Sequence, residues 1–132
     1  MTQNGEAPPS QGLSTAIQGM MEYTMDYTLG DIVIVAFPFT DLNKTIRRPA
    51  LIIADIGDED VLVARITGQK HETKFEMELK NWMKQGLLLH SYARLSKLAT
   101  LKRSDIFRKI GRLTDKEILN VRKRLKMLFE IS

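Results

Sequence analysis

The residues best suited to chemistry are an arginine and a threonine that a tight turn brings together. Residues 55–60 (DIGDED) are turn formers around Gly57. They separate two β-branched apolar runs, 50–54 (ALIIA) and 61–67 (VLVARIT). That pattern predicts an antiparallel hairpin. With the turn centred between Gly57 and Asp58, Arg48 falls opposite Thr67, and cross-strand neighbours lie about 5 Å apart at Cβ. A bulge or a different turn shifts this register and breaks the pairing. A guanidinium recognises phosphate oxygens at two points and offsets charge developing on them, and a hydroxyl adds a hydrogen bond. RNA carries its own nucleophile, the 2′-hydroxyl, so such a pair suits phosphodiester cleavage that otherwise needs only orientation and proton transfer. Taken alone, the same two residues also read as a surface arginine capping a strand end beside an ordinary β-threonine.

Other residue types narrow the chemistry further. The chain has no cysteine, which excludes disulfides, thiolate metal sites and thiol nucleophiles. His71 and His90 are isolated, with no third ligand at zinc spacing, so no metal site and no cofactor are expected. His71 follows Thr67 in a polar loop, within reach of a bound nucleic acid or simply exposed. Trp82 reads as a hydrophobic plug over a barrel end or as a base-stacking surface. The glycines form neither a P-loop nor a dinucleotide fingerprint.

The elements that must position this pair are short strands. Residues 31–37 (DIVIVAF) read as a buried strand ended by Pro38, and residues 40–47 (TDLNKTIR) as a polar loop. From Lys74 to Lys80 the sequence alternates: Phe75, Met77 and Leu79 on one face, charged residues on the other, as in a half-exposed strand. Residues 81–86 (NWMKQG) form a short turn closed by glycine. Strands are predicted at 88–95 and at 106–110, with 96–101 (SKLATL) between them. Thr114 and Glu117 form a capping box for a terminal helix. Its core face carries Ile118, Val121, Leu125, Leu128 and Phe129, and its other face is basic. Residues 1–27 read as a flexible tail and 28–132 as one domain. The result is a mainly β fold with a C-terminal helix, a small curved sheet or barrel. All 20 basic residues lie beyond position 29, against 13 of the 16 acids. This basic body suits a polyanionic partner or a solubilised surface. With no apolar run near membrane-spanning length and no basic–apolar leader, a cytoplasmic location without a membrane is expected.

At this point two motifs in order become informative: Gly30 to Leu42 (GDIVIVAFPFTDL) and Arg47 to Ile53 (RRPALII). Together with 93–101 (ARLSKLATL) and 110–114 (IGRLT), they resemble the MazF/PemK toxins of type II toxin–antitoxin pairs. The resemblance implies an SH3-like barrel, usually a homodimer. It implies a metal-independent endoribonuclease that cleaves single-stranded RNA to a 2′,3′-cyclic phosphate and a 5′-hydroxyl. An acidic antitoxin would block its groove. By the same resemblance Arg48 and Thr67 are catalytic. Arg94 matches an arginine used by some members, but the acid that follows it there is replaced by Ser96, which leaves the general base unassigned. Asp31 and Asp41 are alternatives for that base, Asp31 reading rather as structural. Gln69 and the 40–47 loop, with Lys44 and Arg47, join His71, Arg94 and Ser96 as expected RNA contacts. Two rival functions share the fold: a CcdB-like gyrase poison that cleaves nothing, and an RNA-binding module without catalysis.

Overall fold

Continuous β-branched runs have apolar side chains on both faces, so they are stable only where both faces are covered. The computed structural model, which describes residues 26–39 and 44–130, arranges them accordingly. The strands are β1 (Asp31–Phe39), β2 (Lys44–Asp55), β3 (Asp60–Thr67), β4 (Glu76–Leu79), β5 (Ser91–Lys102) and β6 (Ile106–Arg112), followed by helix α1 (Asp115–Phe129). All pairings are antiparallel, in the order β4-β5-β3-β2-β1-β6. One face of the curled sheet carries Ile32, Leu51, Ala64 and Leu95, over which α1 lays Ile118 and Val121. The other carries Val33, Val35, Ala50, Ile52 and Val63.

The sheet is not closed by strand pairing, but a 3₁₀ turn at Trp82–Gln85 bridges its two edges. The buried Gln85 amide donates to the Arg112 carbonyl at 3.3 Å and to Glu117 Oε1 at 2.8 Å. Gly111 permits the approach, since a Cβ there would lie 2.2 Å from the Gln85 carbonyl oxygen. The fold is therefore mainly β with one C-terminal helix and a barrel-like sheet, as expected. The capping box is present with both reciprocal bonds. The alternation at 74–80 is also present, with Met77 and Leu79 buried.

Several boundaries differ from expectation. Strand β1 does not stop at Pro38 but pairs through Pro38↔Thr45 to Phe39↔Lys44. Its ladder with β6 ends at Val35↔Ile106, so the proline lies on a stretch with one partner, where its missing N–H breaks no second ladder. Residues 44–47 accordingly belong to β2 rather than to a loop, while 40–43 lie outside the described residues. Residues 88–90 precede β5 instead of opening it, and β5 runs unbroken through the stretch placed between strands. Phe129, assigned to the core face, is 63% exposed because it is the last residue of α1, beyond the packed turns.

Two carboxylates are held by cations, Asp31 at the start of β1 and Asp55 at the end of β2. Asp31 accepts from the Thr28 N–H at 2.9 Å, Arg112 at 2.8 Å and Lys109 at 3.1 Å. Burial alone would raise its pKa, but these donors hold it below the ordinary carboxyl range. Asp55 is gripped by Arg103 through both oxygens, at 2.9 and 2.5 Å. That guanidinium, with the Gly57 and Tyr27 N–H groups, brings its pKa to about 2 against the desolvation that opposes it. No helix among the described residues is long and apolar enough to cross a membrane.

Candidate functional site

The site begins where the sheet divides. The β2–β3 ladder runs from Asp55↔Val61 to Ala50↔Arg65 and goes no further. Beyond that pair β2 continues with β1 as far as Lys44, and β3 continues with β5 to Thr67↔Tyr92. The strands part, and the opening is a groove of about 420 Å³. Its walls come from β2 (Arg47, Arg48, Pro49) and β3 (Arg65, Ile66, Thr67). Its remaining boundary comes from the segment before β5 (Leu87, Leu88, Leu89) and from β6 (Phe107, Arg108).

Arg48 and Thr67 thus line one groove. They stand two residues beyond the last hydrogen-bonded pair, on the same face by the period-2 rule. The expected cross-strand pairing of Arg48 with Thr67 does not form, because Arg48 pairs with Val35 of β1 and Thr67 with Tyr92 of β5. Only the register leading up to them is kept, and for an unexpected reason. Near the turn the pairing is displaced by one residue from that expected, with Ala54 opposite Leu62, and a bulge at Ile53 restores it at Ile52↔Val63.

The groove is electropositive. Arg47, Arg48, Arg65 and Arg108 line it, with no carboxylate among the lining residues. Arg48, Arg65 and Arg108 make no ion pair among the described residues, so their charge faces the opening. The Thr67 hydroxyl oxygen accepts from the Gln69 N–H at 3.1 Å, which orients it and leaves its proton available to an incoming oxygen. The buried Ser91 hydroxyl is turned instead to the Leu89 carbonyl at 2.7 Å. Arg47 lies over the Phe107 ring, 4.1 Å from its centroid.

The remaining expected contacts scatter. Gln69 is exposed at the β3 exit. His71 donates its backbone N–H to Glu76 and lines a separate small cleft with Lys70 and Tyr92. Arg94 is 18% exposed and pairs with Glu76 at 3.2 Å, away from the groove lining. Ser96 is exposed in the three-residue bulge where the partner of β3 jumps from Leu98 to Arg94. Lys44 pairs with Phe39 through its backbone; its side chain, like Asp41, lies outside the described residues. Asp31 is buried among donors from Thr28, Lys109 and Arg112 and does not line the groove. Trp82 is half-buried against the core and stacks with His90, centroids 6.4 Å apart. No group of three or more His, Cys, Asp or Glu side chains able to hold a metal occurs among the described residues.

Two groove arginines were missed. Arg65 sat inside a run read as a strand, and its alternation with Ala64 and Ile66 marked it as outward-facing. Arg108 and Phe107 reach the groove because β6 bulges at Phe107, where Ile34 pairs with Arg108 and Val35 with Ile106. No local sequence signal marks that bulge.

This architecture is that of the MazF toxins. It matches the "Mycobacterium tuberculosis toxin MazF-mt6" with a TM-score of 0.62 at 20% identity, covering 76% of this chain and 98% of that one. It matches "MazE-MazF (Form-III) from Deinococcus radiodurans" with a TM-score of 0.66 at 18% identity, covering 80% and 98%. An "Endoribonuclease from Mycobacterial species" matches with a TM-score of 0.62 at 14% identity, covering 80% and 92%. A search of curated proteins finds no significant sequence match. The sequence profile of the "PemK-like, MazF-like toxin of type II toxin-antitoxin system" matches residues 28–129. The chain belongs to this family of toxins.

Proposed function

We propose that this toxin is an endoribonuclease that cleaves single-stranded RNA by attack of the RNA's own 2′-hydroxyl. The observation that carries this reading is the joint presence of Arg48 and Thr67 in a groove lined by four arginines and no carboxylate. In the proposed step the 2′-oxygen loses its proton and bonds to phosphorus. The bond from phosphorus to the 5′-oxygen breaks, and that oxygen takes up a proton. The products are a 2′,3′-cyclic phosphate and a 5′-hydroxyl. Arg48 holds the non-bridging oxygens and offsets their growing charge, and Thr67 donates a hydrogen bond to one of them. Arg65 and Arg108 hold the flanking backbone. The nucleophile is supplied by the substrate and the charge is met by guanidinium, so the chemistry requires no metal.

The partner that restrains the toxin is an acidic antitoxin segment seated in the same groove, where its carboxylates take the place of phosphates. A structurally similar protein described as an endoribonuclease in complex with its cognate antitoxin supports an antitoxin partner. Homodimerisation and a cytoplasmic location complete the proposal by family resemblance.

The test is incubation with a long RNA in excess chelator, with product ends mapped. Fragments ending in 2′,3′-cyclic phosphate and 5′-hydroxyl are expected. Intact RNA would overturn the reading, and inhibited DNA gyrase in a parallel assay would then identify the gyrase-poison alternative.

A further inference from the structure

A groove that bound only phosphate would gain nothing from bare hydrocarbon, yet this one exposes three large apolar side chains. Leu88 is 96% exposed, Leu89 55% and Phe107 48%, and all three line the groove. Phe107 is there because β6 carries an extra residue at that point, and bulges re-aim side chains in this way. Leu89 lies against the bare backbone of Gly68, where a Cβ would stand 2.3 Å from its Cδ1. Above the Phe107 ring lies the Arg47 guanidinium, 4.1 Å from its centroid. Arg47 is itself exposed and is the chain neighbour of Arg48. Flat faces and apolar walls thus adjoin a cluster of cations.

We infer that Phe107, Arg47, Leu88 and Leu89 form a nucleobase subsite for the base flanking the phosphate held by Arg48. The inference rests on the ribonuclease reading above and assigns base selection to this part of the groove. The charge pattern favours a nucleotide: a single-stranded nucleic acid presents a flat ring and an anion at every step, and aromatic and guanidinium planes both stack on bases. In this arrangement the base lies against the exposed Arg47 guanidinium, on the side away from Phe107. Leu88 and Leu89 supply apolar contact and exclude water from its edge. The ring of Phe107 acts through Arg47 by fixing the plane of the guanidinium, which makes Phe107 a positioning residue.

The experiment uses the full chain and a mixed RNA pool, with cleavage sites sequenced, followed by single-turnover rates on the preferred site. Phe107→Ala is expected to lower the rate at that site about 10- to 100-fold, the weight of one stacked base, and to flatten the preference at one flanking position. Phe107→Tyr retains the ring and is expected to restore both. Replacing the base at that position by an abasic nucleotide should slow wild type by a similar factor and leave Phe107→Ala unaffected. Unchanged site preference in a folded Phe107→Ala variant overturns the inference and leaves the ribonuclease reading standing. A wild-type protein that cleaves no RNA overturns both. If Phe107→Ala keeps its site preference but loses its oligomeric state in light scattering, the apolar patch is an interface between copies of the chain and the inference is wrong.

Discussion

At the turn end of the β2–β3 hairpin, Arg103 donates to both oxygens of Asp55 and also to the Asp58 carbonyl at 2.8 Å. At the opposite end of the same two strands, Arg48 and Arg65 line a groove without an ion pair among the described residues. The residue type is the same and the surroundings decide its work. Where a carboxylate is buried beneath the guanidinium, the pair fixes the chain: the Asp55 side chain is fully buried and Arg103 is 12% exposed. Where strands part and no acid lines the gap, the positive charge waits for an anion from outside. A basic composition therefore marks function only at the positions that the fold leaves uncompensated.

Exchanging the two ends by mutation tests that distinction. The largest effect is expected from Arg103→Ala, which strands the Asp55 carboxylate in the interior. Breaking a buried pair from one side costs about 3–5 kcal/mol, visible as a large drop in thermal midpoint, while RNA cleavage per folded molecule stays at the wild-type level. Lost cleavage in the still-folded fraction would erase the contrast. Arg48→Ala should do the reverse, with cleavage falling about 10²- to 10³-fold, as when one donor to developing charge is removed. Its thermal midpoint should match wild type. Thr67→Ala removes a single hydrogen bond to a charged group and should slow cleavage about 10- to 100-fold.

The smallest effect concerns acid. The Asp55 carboxyl titrates at about 2 in the folded chain, below its ordinary 3.8. A depressed carboxyl stabilises the fold fully above the unfolded value, and this contribution disappears as pH falls from about 4 through 2. Asp31, also lowered, acts in the same direction. Denaturation midpoints measured from pH 5 to pH 2 should decline over that window, and the decline should be shallower in Asp55→Asn. An unchanged slope in that variant would remove Asp55 from the acid response.

Much of this was legible in the chain. The capping box at Thr114 and Glu117 is a local arrangement, and so is the alternation of Met77 and Leu79 with charged neighbours; both appear in the fold as read. The meeting of Arg48 and Thr67 in one groove was reached through a register with two compensating errors, a displaced turn and the bulge at Ile53. Non-local features were illegible. Whether Pro38 ends a strand depends on how far β6 accompanies β1, and the side-chain positions of Phe107 and Arg108 depend on a bulge set by pairing with Ile34 and Val35. Arg94 carried a family role in the sequence reading, but Glu76, its cross-strand neighbour in β4, engages it. Strand pairing across distant parts of the chain thus decided which arginines face the groove.

The central claim is that Arg48 and Thr67 act on one phosphate. A single-turnover double-mutant cycle with Arg48→Lys and Thr67→Ala, on one RNA in excess chelator, addresses it directly. Residues that share a phosphate are coupled, so the double variant should be slower than wild type by clearly less than the product of the two single effects. Two single effects that multiply without coupling, or a Thr67→Ala variant as fast as wild type, would contradict the account.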